Sequence, residues 1–489
     1  MKRTYRIMMA MLLGAALLSC NKEKEDTPWK ELDDSKRQLY FVNTFGYNMM
    51  ATYYLWNKEI SEDMRGWGSY SDPISTVNAL RYKQEDGTEV DKWTVMTDDY
   101  ASFSSMVKGT SKSVGMEFSA FYADNTQQNV VLAVNFVYEG SPAAEAGYKR
   151  GDKIVAINGT LLTPSNYKSL VNNGIYGADS VELTNADDSK VTLSAREMYL
   201  EPINCHKIIE KDGKKIAYLH YTSFTLRSMQ PLVDLFKQFK AAGVSELVLD
   251  LRYNGGGYSV ASQLLASMIV PSQELVNSSV FLKEIYNDIL TEAWSNSDSV
   301  FKTDFSVDDA DEGKYEVNSA GANLGISKVS FIITGNSASA SESTVCGLMP
   351  YMDVVIAGER SHGKYCGGII IDGPTWYGWN QSSFGEQTYK AAVEYTDNWG
   401  IYVMVSRYAN KDGNTPCMPN GFEPNISVAD NPLDGHQLGD PEETMLAAVL
   451  SGKAPDQSRR GIQAGPARLP EQIEKPSFRI IDLAKPLTK

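Results

Sequence analysis

Glu246-Leu247-Val248-Leu249-Asp250-Leu251-Arg252-Tyr253-Asn254-Gly255-Gly256-Gly257-Tyr258 is an apolar run that ends in three consecutive glycines. Such a run, bounded by glycine, reads as a strand buried on both faces, and residues 260–269 after it read as a helix. Strand, glycine turn and helix in succession aim backbone N–H groups at a common space. The pattern recurs downstream. Residues 329–334 form a second strand, followed by Gly335-Asn336-Ser337-Ala338-Ser339-Ala340-Ser341-Glu342 and a helix expected from Ser343 through Leu348. Small side chains at a strand-to-helix turn expose a hydroxyl and let another backbone approach. A third strand, 353–359, closes on Arg360-Ser361-His362-Gly363-Lys364. With a strand over 215–221 and an amphipathic helix over 228–242, these units predict an α/β core spanning 200–450.

Ahead of that core, residues 111–199 have a different character. Val114-Gly115-Met116-Glu117-Phe118 leads into an alternating strand, and Val130-Val131-Leu132-Ala133-Val134 forms another. Gly140-Ser141-Pro142-Ala143-Ala144-Glu145-Ala146-Gly147 has the proline-first, glycine-last caps of a short helix. Gly151-Asp152-Lys153-Ile154-Val155-Ala156-Ile157-Asn158-Gly159 then reads as turn, strand and Asn-Gly hairpin. In this order the motifs closely resemble a PDZ domain. That resemblance implies a groove where a peptide C-terminus adds a strand, its carboxylate held by the loop Gly115, Met116, Glu117 and Phe118. Glu117 is an unfavourable neighbour for a carboxylate. The alternative is a groove filled by the protein's own chain.

Taken together, the chain resembles the C-terminal processing peptidases, tail-specific serine peptidases that carry a PDZ domain. The resemblance rests on Asp250-Leu251-Arg252-Tyr253-Asn254-Gly255-Gly256-Gly257, on Ser339-Ala340-Ser341-Glu342 and on Gly358-Glu359-Arg360-Ser361-His362-Gly363-Lys364. Gly421-Phe422-Glu423-Pro424-Asn425 resembles a late family motif. It implies a multi-domain α+β protein with a helical N-terminal segment, a PDZ-like domain and an α/β catalytic core of the crotonase/ClpP-like kind. It also implies a Ser339 nucleophile, a Lys364 base, and oxyanion donors at the backbone N–H groups of Gly257 and Ala340. Lys364 must be neutral to act, which burial can achieve for a lysine of reference pKa ~10.4.

The match is incomplete. The family's orienting Gln, four residues after the lysine, is Gly368 here, with Gln381 a distant substitute, and an Asp found in some members is replaced by Pro350. Ser337 and Ser341 are alternative hydroxyls, and His362 is an alternative base. A non-catalytic peptide-binding surface lipoprotein is the other function class. His206, His220, His362 and His436 form no ligand-spaced pair, so no metal or other cofactor is expected. Cys346 and Cys366 flank the nucleophile and the lysine and are the disulfide to test.

The chain has 489 residues and a formal charge of -15, with no basic stretch suited to phosphate, which argues against nucleic-acid partners. Lys2, Arg3 and Arg6 precede an apolar run over 7–18, too short to span a bilayer, and Leu17-Leu18-Ser19-Cys20 resembles a bacterial lipobox. The expected organisation is a signal peptide over 1–19, a tether lipidated at Cys20 over 20–37, a helical N-terminal domain over 38–110, the PDZ-like domain, the core, and a Pro-containing tail over 451–489. This implies an exported outer-membrane lipoprotein, on the periplasmic face or the cell surface, acting on protein or peptide substrates. The oligomeric state is open. Residues 303–323 read as an acidic insertion. The tail carries eight basic and four acidic residues and is expected to dock on the acidic body.

Overall fold

The computed structural model describes residues 27–306, 317, 319–454, 467–473 and 477–481. The signal peptide, Cys20 and most of the acidic insertion therefore lie outside the described residues.

The folded body starts earlier than the expected tether allows. Pro28–Glu31 is a short 3-10 turn, and Trp29 donates its indole N–H to Thr388. Helix α1 (Asp34–Asn48) is capped by Asp33, whose carboxylate accepts from the Lys36 N–H. Phe41, Val42 and Phe45 are buried on one face of it, and Met49 and Tyr53 follow in a π-helical turn. β1 (Val95–Thr97) carries this domain onto the edge of the core.

The PDZ-like unit is an antiparallel sheet in the order β2 (Met116–Tyr122), β3 (Val130–Val137), β4 (Lys153–Ile157), β5 (Ser180–Asn185) and β6 (Lys190–Ser194). Helix α2 (Tyr167–Val171) flanks it.

The core has two sheets. The first runs β7 (Ile203–Lys211), β8 (Lys214–Tyr221), β9 (Glu246–Asp250), β12 (Lys328–Ile333), β13 (Asp353–Gly358) and β16 (Ile426–Ser427), parallel from β8 onward. Its strands bury both faces, as continuous apolar runs should. Helices α3 (Met229–Ala241), α4 (Ser259–Ile269) and α5 (Ala340–Leu348) carry apolar side chains into the largest core cluster. The second sheet follows the order β10 (Gly256–Tyr258), β17 (Phe478–Ile480), β14 (Cys366–Asp372), β15 (Gly400–Ala409) and β11 (Val280–Tyr286). A strand of the C-terminal segment thus stands inside this sheet, between the glycine turn and the strand that follows Lys364.

A buried ion network joins the PDZ-like domain to the core. The Arg252 guanidinium donates to Asp250, Asp430 and Glu443, and Arg150, from the PDZ-like turn, donates to Asp430 at 2.8 Å and Glu443 at 3.3 Å. Burial by itself would raise the Asp430 carboxyl, but Arg150 and Arg252 hold it far below the carboxylate range. Arg252→Met leaves three buried carboxylates short of a partner. It is expected to cost about 3–5 kcal/mol, seen as a lowered urea midpoint. An unchanged midpoint would show that the network contributes little.

Candidate active site

Ser339 sits where β12 turns into α5, at φ 64° and ψ -108°. A non-glycine residue in that region costs on the order of 1–3 kcal/mol and has to be held in place. The helix begins at Ala340, three residues before the sequence-based expectation, so Ser339 caps it and Ala340 N–H is one of the orphan donors of the first turn. The Glu342 carboxylate supplies the restraint. Oε2 accepts from the N–H of Ser339 at 2.9 Å and of Lys364 at 2.8 Å, and Oε1 accepts from the N–H of Gly363 at 2.6 Å and the hydroxyl of Ser361 at 2.5 Å. One carboxylate therefore draws the candidate nucleophile and the candidate base together. Burial pushes its pKa up to about 7, against these donors, which favour the ionised form.

The competing hydroxyls are committed elsewhere. Ser337 donates to Leu251 O and Ser341 to Asn254 O, whereas the Ser339 Oγ is buried without a hydrogen-bond partner. His362 is exposed on the turn beside Trp93.

Lys364 is fully buried. Its Nζ donates to Tyr402 Oη at 3.2 Å and to the Ser477 carbonyl at 2.5 Å, and lies 5.3 Å from the Trp93 ring centroid. Burial lowers its pKa to about 7, as the expected base requires. The direct Ser339–Lys364 hydrogen bond expected of the dyad is not made, because the amine is engaged by Tyr402 and Ser477.

The missing Gln has a spatial explanation. A Cβ on Gly368 would stand 2.5 Å from Val403 O and 2.7 Å from the Tyr402 ring, so no side chain fits there. Tyr402 occupies that space and reaches Lys364 instead. Gln381 lies in an exposed 3-10 turn after the α-helix that follows β14.

The glycine turn packs against Ser339. A Cβ on Gly256 would stand 2.9 Å from Ser339 Cβ and 3.0 Å from Ala340 N, and would collide with the Phe478 carbonyl oxygen. Gly257, at φ 141°, has no room for a side chain against Phe224 O. Asn254 fixes the turn by accepting from Gly256 N–H and donating to Tyr221 O. These contacts bring the glycine turn that carries Gly257, one expected oxyanion donor, against the Ser339–Ala340 turn that carries the other.

Cys346 and Cys366 are both free. They point into different cores: Cys346 belongs to the cluster beneath α5, and Cys366 contacts Met404 Sδ in the cluster beneath β14. The expected disulfide is not formed: Cys346 Sγ meets Asn414 O and Cys366 Sγ meets Met404 Sδ.

In the PDZ-like domain, Met116 and Phe118 are buried strand residues, Glu117 is half-buried, and Gly115, at φ 77°, accepts from Tyr138 N–H and the Ser141 hydroxyl. The groove along β2 holds residues 467–473 of the same chain.

The profile of peptidase family S41 matches residues 215–369, that of the peptidase S41 N-terminal domain matches 42–104, and that of a PDZ domain matches 134–173. Residues 215–369 belong to peptidase family S41. A carboxyl-terminal-processing protease from Picosynechococcus is 23% identical over 371 residues, covering 74% of this chain and 75% of the relative. CtpA-like serine proteases of Staphylococcus aureus are 21% identical over 332 residues, or 64% of this chain, and this chain spans 60% of their length. A crystal structure described as an S41 protease from Bacteroides fragilis aligns over 83% of this chain and 96% of its own, with TM-score 0.60 and 22% identity, a likeness of fold.

Some site residues leave a sequence signal and others leave none. Glu342, three residues after Ser339, fits the capping-box spacing. Trp93, Tyr402 and Ser477 come from three distant segments and meet at Lys364 only after folding. The Lys364 Nζ is expected to titrate near pH 7 by lysine-selective NMR. Its lowered pKa makes the folded chain bind fewer protons than the unfolded chain between about 7 and 10.4, so stability rises with pH across that window. A titration near 10.4 would contradict this site.

Proposed function

We propose that the protein is a serine endopeptidase acting through Ser339 and Lys364, with Gly257 and Ala340 as oxyanion donors. The observation that carries this reading is the shared Glu342 carboxylate, which holds a strained, unpartnered serine hydroxyl beside a buried lysine of pKa about 7. Neutral Lys364 takes the Ser339 proton as Oγ attacks a peptide carbonyl. The tetrahedral oxyanion is held by the two N–H groups, and the amine leaves with the proton from Lys364. Water then enters by the same route in reverse and frees the acyl group. Substrates are exported or unfolded proteins and peptides, cleaved near C-termini that the PDZ-like domain captures. The lipobox resemblance at Cys20 supports an outer-membrane lipoprotein. Metabolic labelling with a fatty-acid probe is expected to mark the wild type and not Cys20→Ala.

The purified chain is expected to cleave an unfolded protein, with a rate that rises with pH through about 7. Ser339→Ala and Lys364→Ala should each abolish cleavage. Full activity in Ser339→Ala would refute the assignment, and loss in His362→Ala with retention in Lys364→Ala would transfer the base role to His362.

A further inference from the structure

The C-terminal segment takes the path expected of a captured substrate. It first fills the PDZ-like groove. Ala467 O accepts from Tyr122 N–H, and Leu469 N–H donates to Ala120 O, so the segment runs antiparallel to β2 toward the Gly115 loop. Leu469 and Ile473 enter the domain's core, Gln472 bonds both backbone groups of Ala120, and Tyr167 of α2 donates to Glu471 O. Arg468 pairs with Glu359 at 2.9 Å and ties this stretch to the core.

Residues 477–481 then enter the active site as a strand. β17 pairs in parallel with β10 on one side and with β14 on the other. Phe478 N–H donates to Gly255 O, and Ile481 N–H donates to Gly368 O. The Ser477 carbonyl takes the Lys364 amine, and the Phe478 carbonyl oxygen lies against Gly256, beside Ser339 and Ala340 N. Phe478 packs its ring against Phe103 and Tyr402. Arg479 reaches the floor, where it pairs with Glu284 through both Nη atoms and lies 4.8 Å from the Tyr408 ring. Glu284 is 7% exposed and otherwise accepts from Ser406. Among the described residues Arg479 is the cation that pairs with Glu284, so withdrawing the strand would take away that carboxylate's partner, and the floor of this channel is suited to a basic side chain.

We propose that the channel between β10 and β14 binds an extended peptide with an arginine or lysine seated on Glu284, and that residues 477–481 fill it while residues 467–473 fill the PDZ-like groove in cis, holding the site closed to substrate. This deepens the peptidase reading and rests on it. The strand survives beside Ser339 because Lys364 donates to Ser477 and Tyr402, leaving the serine hydroxyl without its base.

The test uses the full chain. Hydrogen exchange at Ser477–Ile481 and kcat/KM toward an unstructured fluorogenic peptide are measured for wild type, Arg479→Ala and Phe478→Pro. The first variant removes the side chain on Glu284, and the second removes the N–H that bonds Gly255. Both are expected to lose protection at 477–481 and to gain about tenfold or more in kcat/KM, chiefly through a lower KM, as a site mostly occupied in cis becomes free. In a second arm, a labelled peptide of residues 467–481 is added to the Ser339→Ala/Arg479→Ala chain. It is expected to bind at least about ten times more tightly than the same peptide carrying Arg479→Ala. Lost protection with a lower kcat and unchanged KM would make the strand a structural part of the site and overturn the proposal. Equal binding of the two peptides would overturn the role of Glu284. Selective peptide binding, together with no cleavage by the wild type, Arg479→Ala or Phe478→Pro chains, would uphold this inference while refuting the peptidase reading.

Discussion

The Glu342 carboxylate, 22 residues before Lys364, ties the serine turn to the lysine turn, which also meet where His362 N–H donates to Ser337 O. Its two oxygens accept from three backbone N–H groups and one hydroxyl, and charge-assisted bonds of this kind are worth about 1.5–3 kcal/mol each. That is enough to hold Ser339 at a backbone angle it would not adopt by itself. It also sets the turn from which Lys364 descends. Without this acceptor the buried N–H groups of Ser339, Gly363 and Lys364 would lose the partner they share, and with it the main tie between the serine turn and the lysine turn.

The other domains contribute to the same small volume. Asp91 accepts from Trp93 and Thr94 N–H and from Tyr54, which fixes the turn that lays Trp93 over Lys364. Phe103 from the same domain meets Phe478. These rings keep water from the amine, and burial of the amine is the main cause of its lowered pKa. The Arg150 and Arg252 network fixes the PDZ-like groove relative to β9, so the groove and the catalytic channel hold a constant relation that a single segment can span.

Local sequence carried the elements whose causes are local. The apolar runs of β9 and β12, the glycine turn, the small residues around Ser339 and the turn signals of the PDZ-like domain each specify their own conformation. The helix expected from Ser343 starts instead at Ala340, because Glu342 caps it from within, a tertiary bond as much as a local one. Tyr402 could not be read from the chain: it replaces the absent Gln only because β15 pairs with β14 and puts its ring over Gly368. The role of residues 477–481 was equally hidden. Phe478-Arg479-Ile480 has no strand signal of note, and the segment was expected to dock by bulk charge. It docks instead by strand pairing and by two specific arginine–carboxylate contacts, at Glu359 and Glu284.

The central claim is that one carboxylate holds Ser339 and Lys364 as a working pair. Its most direct test is the rate at which a small fluorophosphonate labels the protein, followed by mass spectrometry across pH 5 to 9 in the wild type, Lys364→Met and Glu342→Ala. The account predicts adducts on Ser339, a labelling rate that rises through about pH 7, and loss of that rise in both variants. Adducts on another serine, or an unchanged pH dependence in Glu342→Ala, would contradict it.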